Sequence, residues 1–207
     1  VLEKQGPGAM FTGIIEAGGR VAAVKSVGQS AALTIDAGGL DMSDVAIGDS
    51  IACNGACLTV TSLVPKGFGV DVSHETLRVT AGFAAGSAIN LEKSMRLSDR
   101  LGGHLVSGHV DGVGTITAVK PVDANREIVV RFPAELDRYI APKGSIAING
   151  VSLTVNVVTS DALSVNLIPH TLAVTNLNAL KPGDRVNLEI DQVARYVERM
   201  IDRDDQR

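Results

Sequence analysis

Ser50-Ile51-Ala52-Cys53-Asn54-Gly55-Ala56-Cys57-Leu58-Thr59-Val60 returns further along the chain as Ser145-Ile146-Ala147-Ile148-Asn149-Gly150-Val151-Ser152-Leu153-Thr154-Val155, with eight of eleven positions identical at a shift of 95 residues. Self-similarity at a fixed shift marks a duplicated structural unit. The same shift carries Val70-Asp71-Val72 onto Val165-Asn166-Leu167, and Thr12-Gly13-Ile14-Ile15 onto Ser107-Gly108-His109-Val110. After a two-residue slip, GSAINLE at 86–92 meets GDRVNLE at 183–189. The chain therefore divides into repeats at residues 10–105 and 106–190, followed by a tail at 191–207. Each repeat alternates short runs of Val, Ile and Thr with Asn-Gly and Pro-Lys-Gly turns, the pattern of short antiparallel strands. A module of this size hides its strand edges by closing on itself. The expectation is an all-β chain of two tandem barrels with about six strands each.

The tail reads differently. Over residues 191–203, Val193, Tyr196, Val197, Met200 and Ile201 recur at spacings of three and four between charged positions, which predicts an amphipathic helix. Its apolar stripe needs a cover, supplied either by a barrel of the same chain or by the same helix in neighbouring subunits.

The 207 residues are 45% hydrophobic, enough for real cores, and the net charge of −4 without long Lys or Arg runs argues against nucleic acid. Residues 1–9, with Gln5-Gly6-Pro7, read as a vector-derived leader ahead of Met10. The residues after Met10 have neither the basic start nor the apolar run of a signal peptide, and no stretch has the length of a membrane span. A cytoplasmic protein that avoids membranes is expected. Cys53 and Cys57 lie too close in sequence to staple a fold and are expected to be free thiols. With 3% aromatic residues and no Trp, a flat ligand would rest on aliphatic walls and backbone hydrogen bonds.

Strand alternation puts Leu58 and Val60 on one face and Cys57 and Thr59 on the other, and likewise Leu153 and Val155 against Ser152 and Thr154. Beside Asp71 or Asn166 on the next strand, these small polar groups can line a pocket for a heterocycle or a polyol. They can equally form a solvated face where Thr serves β propensity. The densest cluster of unusual residues is Gly102-Gly103-His104-Leu105-Val106-Ser107-Gly108-His109-Val110-Asp111-Gly112, at the junction between repeats. Its histidines can relay protons near neutrality or serve structure alone. The Cys and His spacings match no common zinc pattern, and phosphate-loop, dinucleotide and nucleophile-elbow motifs are absent, so no metal and no nucleotide chemistry is expected.

Taken together, Met10-Phe11-Thr12-Gly13-Ile14-Ile15-Glu16, the twin NG-x-[CS]-LTV strands, Glu75-Thr76-Leu77-Arg78, GGHLVSGHVDG and Ile168-Pro169-His170-Thr171 resemble the riboflavin synthase family from Met10 onward. The resemblance implies two six-stranded Greek-key barrels and a C-terminal helix that assembles a homotrimer. Each active site then lies between the first barrel of one subunit and the second of another. It implies a transferase without a cofactor, which exchanges a four-carbon unit between two 6,7-dimethyl-8-ribityllumazine molecules to give riboflavin and 5-amino-6-(D-ribitylamino)uracil. It also raises association with lumazine synthase.

Carried over position by position, the first substrate site comprises Gly13, Ile14, Ile15, Cys57, Leu58, Thr59, Asp71, Val72, Ser73, His74, Glu75 and Thr76. The second comprises Gly108, His109, Val110, Lys143, Ser152, Leu153, Thr154, Leu167, Ile168, Pro169, His170 and Thr171. Cys57, Ser50, His104 and His109 are the catalytic candidates. The mismatches Cys57 against Ser152 and Ile14 against His109 are expected to assign donor and acceptor roles, and His170 departs from Glu75 at the matching position. A lumazine or flavin carrier without catalysis is the rival reading; intact polar faces in both repeats favour the enzyme.

Overall fold

The computed structural model describes residues 8–204, with side chains through residue 201; most of the leader, residues 1–7, lies outside it. The first repeat forms β1 (Ala17–Val27), β2 (Ser30–Asp36), β3 (Ser50–Cys53), β4 (Ala56–Val64), β5 (Gly67–Val72) and β6 (Ala88–Lys93), with the short helix α1 (His74–Val79) between the last two. The second forms β7 (Gly112–Val122), β8 (Asn125–Arg131), β9 (Ser145–Ile148), β10 (Val151–Val158), β11 (Ala162–Leu167), α2 (Pro169–Val174) and β12 (Arg185–Ile190). Both sets close into antiparallel six-stranded barrels, in the order β1-β2-β5-β4-β3-β6 and its counterpart β7-β8-β11-β10-β9-β12. The expected strand number and closure are both found.

The repeat is copied down to its irregularities. Register breaks fall between Val21 and Ala23 on β1 and between Ile116 and Ala118 on β7. They recur between Val60 and Ser62 on β4 and between Val155 and Val157 on β10, again at the sequence shift. Bulges sharpen strand bending where a small sheet must curl into a barrel. The hairpins β3–β4 and β9–β10 turn on Asn54-Gly55 and Asn149-Gly150, whose φ values of 48°, 80°, 47° and 80° are all positive. That geometry matches the right-handed twist of the flanking strands and selects Asn-Gly.

Each barrel holds its own apolar core. Phe68, Ile35, Ile51 and Leu91 fill the first, and Ile128, Ile146, Leu163 and Leu188 the second, all fully buried. Between the barrels lies a polar ring of asparagines. Asn54 Oδ1 accepts from the Asn90 amide at 2.8 Å, and Asn90 Nδ2 donates to the Asn149 carbonyl at 2.9 Å. Asn149 Oδ1 accepts from the Asn187 amide at 2.9 Å, and Asn187 Nδ2 returns to the Asn54 carbonyl at 2.8 Å. Buried amides must find partners, and here the two hairpins satisfy one another reciprocally. At the centre of the ring, a Cβ on Gly55 or Gly150 would stand 2.8 Å from the other's nitrogen.

Helix α3 (Gln192–Asp204) leaves β12 as the tail pattern predicts. Polar contacts tie it to the second barrel: Arg195 to Asp111 at 2.5 Å, and Arg138 and Tyr139 to Glu198. Its apolar stripe stays exposed, with Met200 at 71%, Tyr196 at 68% and Val193 at 63% accessibility. In this chain the stripe does not pack on its own barrel, one of the two covers considered for it. No helix among the described residues is long and apolar enough to cross a membrane.

Candidate active site

A row of small polar side chains crosses the outer face of β3, β4 and β5. Ser50 pairs with Thr59, Cys57 precedes it by two residues on β4, and Asp71 stands exposed on β5. The second barrel repeats the row with Ser145 paired to Thr154, then Ser152 and Asn166. Ser145 is a member that the sequence reading left out. Leu58 and Leu153 face the opposite way, into the cores, as do Val72 and Leu167, so these four offer a ligand only backbone.

Strand β4 pairs with β5 only from Val60 onward, and β10 with β11 only from Val155. Before those points one edge of each strand is unpaired by its own sheet, and backbone donors there need another acceptor. The segments that lead into the two repeats supply it, crosswise. Cys57 N donates to the Gly108 carbonyl and Ser152 N to the Gly13 carbonyl, both at 2.8 Å. The two straps also pair with each other between Phe11 and Val106, through bonds of 2.8 and 3.0 Å.

Each crossing needs glycine. Gly13 and Gly108 both have φ of +76°, and a Cβ would stand 2.6 Å from Ser152 Cβ in one case and 2.5 Å from Cys57 Cβ in the other. Ile15 beyond the first strap packs against the core of the second barrel, while Ile14 remains half exposed.

Buried glutamates anchor both straps. Glu92 accepts from Thr12 N and Oγ1, both at 2.7 Å, and from Gly13 N at 3.0 Å. Glu189 accepts from Ser107 N at 2.6 Å, Ser107 Oγ at 2.8 Å and Gly108 N at 3.0 Å. Burial raises both carboxyl pKa values against the pull of these donors, and pushes Glu189 to about 7. Neither residue was among the sequence candidates. The signal was the recurrence of Asn-Leu-Glu at 90–92 and 187–189.

His104 has no counterpart histidine in the first repeat. His104 Nδ1 lies 2.7 Å from Ser152 Oγ, and its backbone amide donates to Thr12 O at 3.1 Å. Its buried Nε2 has no protein partner. Burial lowers its pKa against the opposing field of Asp191, which leaves a neutral ring at neutral pH. The first repeat places Ala9 at the matching position; Ala9 and Cys57 both pack against the buried cluster of Phe11, Ala52, Val106 and Ala147. Burial raises the Cys57 pKa, the Glu189 charge adds to the rise, and a hydrogen bond from Ser50 opposes it, so the group remains a thiol. Cys53 is fully buried and its pKa is pushed higher still; both cysteines are free.

The remaining candidates are spread around these centres. His109 is exposed and, with Val110, lines a separate cleft of about 480 Å³ beside Asp111, Arg195 and Tyr196 of the helix region. The structure therefore does not join His104 and His109 into one dyad. Ser50 also lines a cleft of about 630 Å³ with Glu16, Asp44, Lys93 and Arg96.

Ser73 caps α1 by accepting from Thr76 N at 3.1 Å, and Glu75 pairs with Arg78 while His74 stays exposed. In α2, Ile168 replaces that cap, Pro169 occupies the first turn, and His170 and Thr171 lie where Ala173 can offer no ion pair. Lys143 adopts φ of +68° at the position where the first repeat has Gly48, a strained conformation for a residue with a side chain. Among the described residues no group of side chains could hold a metal ion.

Fold and site together define a protein with two matched polar strand faces, each bordered by a strap from the other repeat. The family model "Lumazine binding domain" matches twice, over residues 12–94 and 107–191. Riboflavin synthase of Photobacterium leiognathi is 46% identical over 194 residues, covering 93% of this chain and 89% of that protein. Riboflavin synthase of Brucella abortus (strain 2308) is 45% identical over 198 residues, covering 92% and 98%. A solved structure of LumP complexed with riboflavin superposes with a TM-score of 0.80 at 23% identity, over 87% of this chain and 98% of that one, a likeness of fold. The chain belongs to the riboflavin synthase family, with its lumazine-binding domain duplicated.

Proposed function

We propose that this chain is a riboflavin synthase, which takes two molecules of 6,7-dimethyl-8-ribityllumazine and moves a four-carbon unit from one to the other. The products are riboflavin and 5-amino-6-(D-ribitylamino)uracil. One observation carries the reading: the polar row Ser50, Thr59, Cys57 recurs as Ser145, Thr154, Ser152 at the same register on a second barrel. Two like receptors suit a reaction between two like molecules, because holding both in a set orientation replaces a bimolecular encounter.

The atoms balance between the two lumazines, so the reaction needs no outside oxidant or reductant. One of the two lumazines loses a proton from its C7 methyl group, which conjugation makes acidic, and modest acid–base groups suffice. The neutral ring of His104, bonded to Ser152, accepts or returns a proton on the second face. The protonated thiol of Cys57 serves the first as a weak donor. Gly13 to Ile15, Asp71 and Ser73 to Thr76 bound one lumazine, while Gly108 to Val110, Lys143 and Ile168 to Thr171 bound the other.

Within one chain Thr59, Asp71, Thr154 and Asn166 are open to solvent. The bare stripe on α3 supports a homotrimer in which a second subunit covers each face. Two free thiols fit a reducing, cytoplasmic setting.

Incubation with 6,7-dimethyl-8-ribityllumazine alone should yield riboflavin at one molecule for every two consumed, followed by absorbance. Tight binding with no conversion would establish the carrier reading instead.

A further inference from the structure

We propose that Glu189 and Glu92 are positioning residues that act across the barrel boundary: each anchors its own repeat's strap so that the strap's glycine carbonyl sets the ligand-facing strand of the other barrel. The catalytic consequence rests on the function proposed above; the structural consequence does not.

Both β4 and β10 start beside a gap in their own sheet. Cys57 is the first polar residue of the β4 face, and its amide is answered by Gly108 of the opposite repeat. Gly108 is in turn held by its own amide on Glu189 Oε2, with Ser107 fixed through N and Oγ on Oε1. The mirror chain of contacts runs from Ser152 through Gly13 to Glu92. Three donors meeting one carboxylate leave the strap little freedom, and the carboxylates are buried to within 4% of full enclosure.

Two further features support a positioning role over simple stability. The straps carry Ile14 and His109 one residue beyond the anchored glycines, so strap placement fixes where those side chains sit. Glu189 also acts electrostatically on Cys57, although the two belong to different barrels. A change at Glu189 should therefore be felt at Cys57, and a change at Glu92 at Ser152 and His104.

Cys57 provides a reporter that needs no substrate, since Cys53 is fully buried. In the full-length native protein, Glu189→Ala should raise the alkylation rate of Cys57 by iodoacetamide about tenfold, because removal of the anchor frees the Gly108 carbonyl from the Cys57 amide. Glu189→Gln keeps one acceptor oxygen for Ser107 but turns a donor toward Gly108 N, so it should restore part of the protection. Both variants lack the charge, so the difference between them reads the strap alone. Ser107→Ala, which removes only one donor, should show a smaller rise if the larger changes prevent folding. Glu92→Ala should leave Cys57 close to its original rate.

Equal effects from Glu92→Ala and Glu189→Ala, or none from Glu189→Ala and Ser107→Ala in folded protein, would overturn the proposal. In lumazine turnover, Glu189→Gln should lower kcat more than it raises KM. If the parent protein turns over no lumazine, the functional reading fails while the thiol result still decides this one.

Discussion

Replacing Gly108 with alanine tests the crosswise site in one step. Gly108 has φ of +76°, and the added Cβ would lie 2.5 Å from Cys57 Cβ and 2.9 Å from Cys57 N. The left-handed backbone alone costs a residue with a Cβ roughly 1–2 kcal/mol. Relief of the contact moves the strap off β4, which leaves the Cys57 amide without its acceptor, a further loss of roughly 1–3 kcal/mol. The sum, about 2–5 kcal/mol, is a large part of the roughly 5–15 kcal/mol that a domain typically has.

Gly28 supplies the control. Its φ is +62°, but nothing lies within 4 Å of the Cβ it would gain. Gly28→Ala should therefore lose only the conformational share, about 1 kcal/mol. Urea unfolding of both variants, with the slope unchanged, gives the comparison directly. Equal losses for the two substitutions would show that the strap's close approach carries no energetic weight, and the crosswise account of the site would fall with it.

Single features of the site fix other outcomes. Glu189, pushed up to about 7, favours the fold most when protonated, so its contribution is complete below the unfolded value of 4.5 and is lost as pH rises through about 7. The size is on the order of 3 kcal/mol. His104, lowered from 6.5, works in the opposite sense as pH falls, so the difference between parent and Glu189→Gln stability curves isolates the glutamate; parallel curves would refute its raised pKa. Lys143→Gly should stabilise the fold by roughly 0.5–1 kcal/mol by removing left-handed strain, yet lower turnover. Unchanged turnover would remove Lys143 from the substrate site. Cys57→Ser and Ser152→Ala should reduce turnover unequally, because only Ser152 is bonded to His104; matched losses would argue against distinct roles for the two faces. Tyr196→Glu should dissociate the oligomer in sedimentation, and an unaltered mass would show that the stripe lies outside the subunit contact.

The duplication, the barrels and the facing of each β4 and β10 side chain were legible in the sequence because strand alternation and repeat spacing are local, periodic quantities. Asn54-Gly55 and Asn149-Gly150 announced their hairpins for the same reason: a two-residue turn with positive φ admits few other residues. The amphipathic tail was equally plain, since a helical stripe has its own period.

Contacts between distant residues left no such trace. That Glu189 anchors Gly108, that Gly108 reaches Cys57 in the other barrel, and that His104 joins Ser152 while His109 stands apart depend on how two closed barrels are set against each other. Sequence by itself determined two like modules and a helix in need of a cover, because the alternation of apolar and polar residues dictates what each strand buries. Only the tertiary structure decided that each module completes the other's face. The choice of acceptor for a backbone donor at an unpaired strand edge depends on which carbonyl folding brings within reach.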